Sequence, residues 1–248
     1  MRHGARMLAL SQAGTALPAD AWAAASNPAL LARQGLTTAV MWSPAPFGLR
    51  ELSHAAAVVT HDASAFSWSA LVQSSGFALY RETEAAFACA MTMGGRMHVG
   101  TTIGWRDVAI QGYGSAGVLL VDLGAAMEVS DGWVVATVVG AVNRPTIGRS
   151  RERLPITFSL GSSMQVTSHL LLVADAWKDL RHAVQLRFGV EYIPLEQLRL
   201  RAGSATEPGR FSAGIGTMIE GIAADYAVVT HSDLGLTHIL SVAVAILR

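Results

Sequence analysis

The chain of 248 residues is 51% hydrophobic and 15% charged, with 18 basic against 18 acidic side chains. That is oilier than a water-soluble domain, in which about a quarter of residues are charged, and the balanced charge gives nucleic acid nothing to hold. The lone Cys89 excludes an internal disulfide and any CxxC metal or redox site, and every apolar run is broken before the roughly 18 to 20 residues of a membrane-spanning helix.

The first stretch, MRHGARMLALSQAG, has a basic head, but its apolar run breaks at Gln12, which disfavours a cleavable signal peptide. An export signal is therefore expected upstream of this chain. Asp20 to Arg33, DAWAAASNPALLAR, is alanine-rich and helix-prone but interrupted at Asn27-Pro28, because proline disfavours helical geometry in its predecessor. One or two short helical turns are predicted here.

From Leu36 onward the chain reads as short β-like runs separated by turn residues. About 14 are counted, near 36–42, 50–60, 66–74, 83–93, 96–106, 117–129, 132–142, 154–165, 168–177, 182–193, 196–204, 210–220, 221–231 and 236–247. Several alternate with period two, which puts the two sets on opposite faces of a strand. Met97, Val99, Thr101, Ile103 and Trp105 oppose His98, Gly100, Thr102, Gly104 and Arg106. Leu119, Val121, Leu123 and Met127 oppose Asp122, Gly124 and Glu128, and Val184, Leu186, Phe188, Val190 and Tyr192 oppose Gln185, Arg187, Gly189 and Glu191. Ile222, Tyr226 and Val228 oppose Asp225 and Ala227, with His231 following.

Short links (HDASA, MGGR, VSDGW, SSMQVTS, IPLEQ, Glu220-Gly221) take turns with longer ones (SPAPFGLRE, QSSGFALYRETE, RDVAIQGYGSAG, NRPTIGRSRER, SATEPGR, HSDLGLT). This is the pattern of an up-and-down barrel, and the runs match the roughly 9 to 11 residues of a tilted bilayer-crossing strand. A soluble barrel would keep its large apolar side chains inside. Here the glycine-rich, polar set suits the interior, so the sheet is read inside out, with lipid outside and a wet lumen within. Closure leaves no edge, as a bilayer requires. Trp42, Trp105, Trp133 and Trp177 fall near strand ends, where aromatic girdles sit.

The predicted lumen-lining residues are His98, Asp122, Glu128, Arg187, Glu191, Arg199, Arg201, Asp225 and His231. Of these, Arg187, Glu191, Arg199 and Arg201 are expected to form a charge-paired wall or a solute-selective lining. Gly112 to Gly117, GYGSAG, matches a dinucleotide fingerprint, but VLLVDLG follows where a helix is required, so a loop is the better reading. The eight histidines show no metal-ligand spacing and no nucleophile elbow is present. No enzyme, metal or cofactor is expected.

GARMLALSQAGTALPADAWAAASNPALLA, with Asn27-Pro28-Ala29, resembles the N-terminal segment of the FadL-like and PorV/PorQ-like outer-membrane proteins. GFALYRETEAAF, VNRPTIGR, KDLRHAVQLRFGVEYIPL, PGRFSAGIG and LGLTHILSV are similar to segments of the PorV-like branch, in the expected order. The resemblance spans nearly the whole chain. It implies an all-β transmembrane antiparallel barrel of 14 strands over residues 36–248, with residues 1–35 folded into the lumen as a partly helical hatch shaped by Asn27 and Pro28. It places the protein in the bacterial outer membrane among lipid, as a channel or transporter of small hydrophobic solutes. The alternative it carries is a non-transporting barrel that docks secreted proteins or a type IX-like secretion machine. Pro46, Phe47, Phe77 and Tyr80 are the apolar loop residues that bear on the choice. The oligomeric state is not legible.

Overall fold

The computed structural model describes residues 3–31, 36–62, 66–148 and 152–246. The expected hatch–barrel boundary at residue 35, the middle of the HDASA link, the centre of the NRPTIGRSRER link and Leu247-Arg248 lie outside these. In chain order the strands are β1 (Leu36–Ser43), β2 (His54–Asp62), β3 (Ser67–Gly76), β4 (Tyr80–Met93), β5 (Met97–Ile110), β6 (Gly114–Ser130), β7 (Trp133–Gly140), the short pair β8 (Thr146–Ile147) and β9 (Glu152–Arg153), then β10 (Thr157–Thr167), β11 (Leu170–Asp179), β12 (Gln185–Leu195), β13 (Leu198–Ala205), β14 (Arg210–Ile219), β15 (Ile222–His231) and β16 (Gly235–Ile246). All but β8 and β9 join one closed antiparallel barrel, in which β7 pairs with β10 and β1 pairs with β16 from Leu36 opposite Ile246 to Trp42 opposite Leu240. The fourteen barrel strands coincide with the runs counted from the sequence, one for one.

The alternation maps onto the two faces as expected. On β12, Leu186 and Phe188 are 42% and 49% exposed, whereas Gln185 and Glu191 are 5% and 4% exposed. Ile103, Trp105, Leu119, Leu123, Met127, Leu236, Leu240 and Val242 continue the exposed apolar band around the ring. Water does not tolerate a continuous apolar belt of this extent, and a bilayer demands it. No helix among the described residues is long and apolar enough to cross a membrane; the crossing is made by strands. Trp105 lies flat over Gly117, where an added Cβ would come within 2.1 Å of the ring. Trp42, Trp105 and Trp133 are exposed on the outside, as a girdle requires. Trp177 is not. It pairs with inward Gln185 and lines the lumen, because it continues the inward parity of Leu171, Val173 and Asp175.

The turns split between two rims. The short-turn rim carries Asp131-Gly132, with Gly132 at φ 78°, and Glu220-Gly221, where both residues have positive φ as a two-residue hairpin needs. At the opposite rim two expected long loops shrink to tight turns, Phe77–Leu79 and Gln111–Tyr113. There β5 and β6 run on for 14 and 17 residues. Beyond Trp105 polar and apolar residues mix on both faces, Arg106 with Val108 and Ile110 on one and Asp107 with Ala109 on the other, so period-two contrast vanishes while the ladder continues. The connection from β7 to β10 is the longest and holds β8 and β9.

The N-terminal segment contains α1 (Ala5–Ala9), α2 (Ala23–Ser26) and a 3-10 turn (Pro28–Leu31). Asn27 is extended, and its Oδ1 accepts the Ala29 N–H at 3.0 Å, which starts the turn that Pro28 forces. The segment bonds to strands on every side: Thr60 on β2, Thr102 on β5, Ser163 on β10, Asp175 on β11, Glu191 on β12, Ser212 on β14 and Ser241 on β16. A chain that touches all sides of a closed ring lies inside it. Its apolar side chains also make a core there, Leu8 and Trp22 against Met41, Val58, Leu71 and Ile239, and Leu10 and Leu17 against Leu171 and Val173. The expected wet lumen is therefore corrected. Its middle is packed and dry, because alanines and glycines on the inner wall let the segment's oily face approach.

Candidate functional site

Two cavities flank this packed layer. Toward the short-turn rim a space of about 410 Å³ is lined by Arg6, Asp20, Arg199, Arg201, Asp225 and Ser241. Its floor is a charge chain. Arg6 grips Glu191 through Nε and Nη2, both at 2.9 Å, and Arg201 donates to Glu191 Oε2 and to Asp225 Oδ1, both at 2.6 Å. Arg6 also donates to the Pro18 and Ala19 carbonyls and stands 3.7 Å from Asp20. Burial works against the Arg6 charge, but Glu191 outweighs it and the pKa stands above the ordinary value. For Asp20 burial prevails over the pull of Arg6, so its carboxyl pKa is raised.

The layer itself is pinned by neutral and single-charge contacts. Thr15 donates both N–H and O–H to Asp175 Oδ2, at 2.9 and 2.8 Å, and the Ser11 N–H donates to Ser212 Oγ at 3.0 Å. Asn27 Nδ2 donates to the Thr15 carbonyl at 2.8 Å and to the Ala125 carbonyl at 3.4 Å. Pro28 is buried and seated over Gly100. Two glycines make room: an added Cβ at Gly124 would come within 2.0 Å of Asn27 Oδ1, and one at Gly100 within 2.6 Å of the Pro28 carbonyl carbon.

Toward the loop rim lies a cavity of about 370 Å³, bordered by Met7, Gln12, Arg106, Asp122, Trp177 and Arg187. The Arg187 guanidinium sits 5.1 Å above the Trp177 ring and donates to Gln185 Oε1 at 2.6 Å and to the Gln12 carbonyl at 3.2 Å. Arg106 is paired with buried Glu84 at 3.0 Å.

The nine predicted lumen residues do not form one cluster. Glu191, Arg201 and Asp225 meet in the charge chain, and Arg199 lines the same cavity, reaching Met218 Sδ at 3.6 Å. Arg187 lies across the packed layer from them. Asp122 Oδ1 holds the Ala141 N–H at 2.8 Å, fixing the chain where it leaves β7. His98 faces Thr92 at 3.0 Å and Glu128 at 3.5 Å, near the short-turn rim. His231 is at the loop rim, edge-on to Phe47 with ring centroids 5.6 Å apart. Arg6, Asp20, Asp175 and Arg210 escaped sequence reading. The inward parity of Asp175 next to Val173 was a usable signal; the roles of Arg6 and Asp20 depend on where the segment folds.

The ring, its lipid-facing belt and the chain seated within it define a transmembrane β-barrel with an occupied lumen. No protein-family model matches the sequence, and no curated protein matches it. Among solved structures the chain is similar to the CymD monoaromatic hydrocarbon channel, at TM-score 0.75 and 11% identity over 99% of this chain and 98% of that one. It is also similar to the toluene transporter TodX of Pseudomonas putida, at TM-score 0.70 and 11% identity over 97% and 96%. A FadL homologue of Pseudomonas aeruginosa matches at TM-score 0.69 and 12% identity over 98% of each chain. The fold is FadL-like.

Proposed function

We propose that the protein sits in a bacterial outer membrane and passes small hydrophobic solutes across it, with residues 1–35 acting as the hatch and residues 36–248 as the barrel. The observation that carries this reading is the pair of lumen cavities, one on each side of the packed layer and parted by a segment that polar bonds hold in place. Two further features support it. Leu79, Tyr80, Ile110 and Tyr113 leave apolar surface exposed at the tips of β4, β5 and β6, where a hydrophobic solute would first meet the protein. The paired wall between β6 and β7 begins at Leu123 opposite Val139, so above it the β6 edge is met by the Val142–Asn143 turn instead of a strand. This notch borders the loop-side cavity at Leu120, Asp122 and Gly140, and offers a way through the wall besides a way past the hatch.

The segment-by-segment resemblance supports the PorV/PorQ-like branch as the chain's place within the FadL-like fold. The docking role of that branch has no observation in its favour at the loop rim, where Phe47 is turned onto His231. Deleting residues 1–33 should leave a barrel that inserts and closes, since none of the strand pairs uses them, and should raise solute leakage in proteoliposomes several-fold. Unchanged permeability in a well-folded deletion would reject the hatch, and absence of any solute uptake by the full chain would reject transport.

A further inference from the structure

The outer side of the wall is nearly free of charge. Along β10 to β16, Lys178 is the one Lys, Arg, Asp or Glu among the described residues whose parity points outward, and it is also the chain's only lysine. It shares the outward side of β11 with exposed Leu172 and lies opposite exposed Phe158 on β10. Arg181, on the turn that follows at the loop rim, is exposed and stands 3.9 Å from Glu152. Lys178 Nζ donates to the His182 carbonyl and Arg181 Nη2 to the Arg153 carbonyl at 2.8 Å, so both cations are steadied by neutral acceptors and keep donors to spare. The acid of this turn, Asp179, is buried on the inward side and accepts from the Arg181 and His182 N–H groups.

Below Lys178 the wall turns from bulky to small. Ala176 and Ala174 follow it down β11, Ala176 between Leu160 and Leu186, and Ala174 between Ser162 and Phe188. Beyond Phe188 the same row continues with Ser204 and then exposed Phe211. Phe188 is thus a ridge between two shallow beds floored by alanine and serine, and the hollow they form holds about 630 Å³ on the outer surface of β10 to β13. From Ala174 up to Lys178 is about 13 Å along a strand that rises roughly 3.3 Å per residue, which sets the cation at the edge of the lipid above the beds. Such a cation is costly beside neutral tails and favourable beside an anionic headgroup. Short turns are periplasmic in barrels of this kind, so the leaflet at the loop rim is the outer one. We propose that this face binds a phosphorylated glycolipid of the outer leaflet, of the lipid A type, with a phosphate on Lys178 and Arg181 and acyl chains in the beds on either side of Phe188. One head carrying several chains fits two beds beneath a single pair of cations. The inference rests on the outer-membrane placement proposed above and adds to it a lipid site on the outside of the wall, apart from the lumen.

The test is native mass spectrometry of the full chain, purified in a neutral detergent and titrated with bisphosphorylated hexa-acyl lipid A, with the same lipid stripped of its phosphates, or with dioleoyl phosphatidylglycerol. One lipid A is expected to stay bound, about ten-fold more tightly than either of the others. Each Lys or Arg at an anionic surface contributes roughly five-fold in affinity, so the double variant Lys178→Gln, Arg181→Gln should weaken lipid A by about ten-fold or more, and Lys178→Arg should keep it. Ala174→Trp, which fills one bed and leaves the charges alone, should weaken lipid A with and without phosphates alike. Migration of unboiled protein on a gel verifies that each variant is a closed barrel, and if Ala174→Trp fails to close, Ser204→Trp fills the other bed in its place. Equal binding of phosphatidylglycerol would mean that any anionic lipid serves, and it overturns the site, as does lipid A binding indifferent to the glutamine pair. Solute uptake in phosphatidylcholine vesicles keeps the two readings apart. Selective, cation-dependent lipid A binding without uptake leaves the site and removes transport, whereas uptake without that selectivity leaves transport and removes the site.

Discussion

Gln185 and Leu186 are chain neighbours, yet one faces a protein-filled lumen and the other faces lipid. Leu186→Arg or Phe188→Arg should cost about 2 to 4 kcal/mol, as a cation near the bilayer midplane does. Gln185→Glu should cost little, because a carboxylate can still accept the Arg187 Nε–H. Denaturant-linked refolding into vesicles measures both, and equal costs would mean that the apolar face is not lipid-exposed. Glu191 is a second case. Removing one partner of a buried ion pair costs about 3 to 5 kcal/mol, and Glu191→Gln strips the carboxylate that Arg6 and Arg201 share. Arg201 keeps Asp225, so the barrel should stand while α1 loosens. Hydrogen exchange should quicken in residues 5–9 and stay unchanged in β12 and β13; uniform quickening would show that Glu191 serves the wall instead. At this scale the sequence disclosed which way most wall residues point. It did not disclose their partners, because those come from the N-terminal segment, whose path obeys no period.

Among elements, the 3-10 turn Pro28–Leu31 depends on absent side chains opposite it. Gly100→Ala and Gly124→Ala each place a methyl where Pro28 or Asn27 already stands. Either is expected to unseat the turn and destabilise the packed layer by about 1 to 3 kcal/mol, as overpacking does. A cysteine at Ala29, after replacement of Cys89, should then become reactive to a small water-soluble reagent. Continued protection of Ala29 in both variants would show that the turn has another anchor. All fourteen barrel strands were legible because lipid on one side and protein or water on the other impose period two. The upper parts of β5 and β6 were not, since polar and apolar residues mix on both faces there, and β8 with β9 is too short for alternation to register. Trp177 was misassigned for a related reason: nearness to a strand end says nothing about face, which parity with Asp175 decides.

For the molecule as a whole, closure predicts a shape that detergent alone does not undo. Unboiled protein in dodecyl sulfate should migrate apart from boiled protein, since the ring has no free edge from which to unzip; a single band under both conditions would contradict the barrel. The architecture as a whole was the most legible level, because loop alternation, strand length and the inverted faces all point to the same solution.

The contact between the two ends of the barrel has a temporal meaning as well as a spatial one. Ser11 bonds to Ser212 and the Ala5 N–H to Ser241, partners 201 and 236 residues apart, and β1 meets β16 across the seam. The N-terminal segment thus ends up enclosed by a wall whose seam closes between strands far apart along the chain. The segment must either wait within a half-built sheet or thread into a finished ring, and its many small wall contacts on β13 to β16 favour the former. Pairing at such sequence distances is slow, so assembly speed should depend on how early the first thirty residues gather the late strands around them.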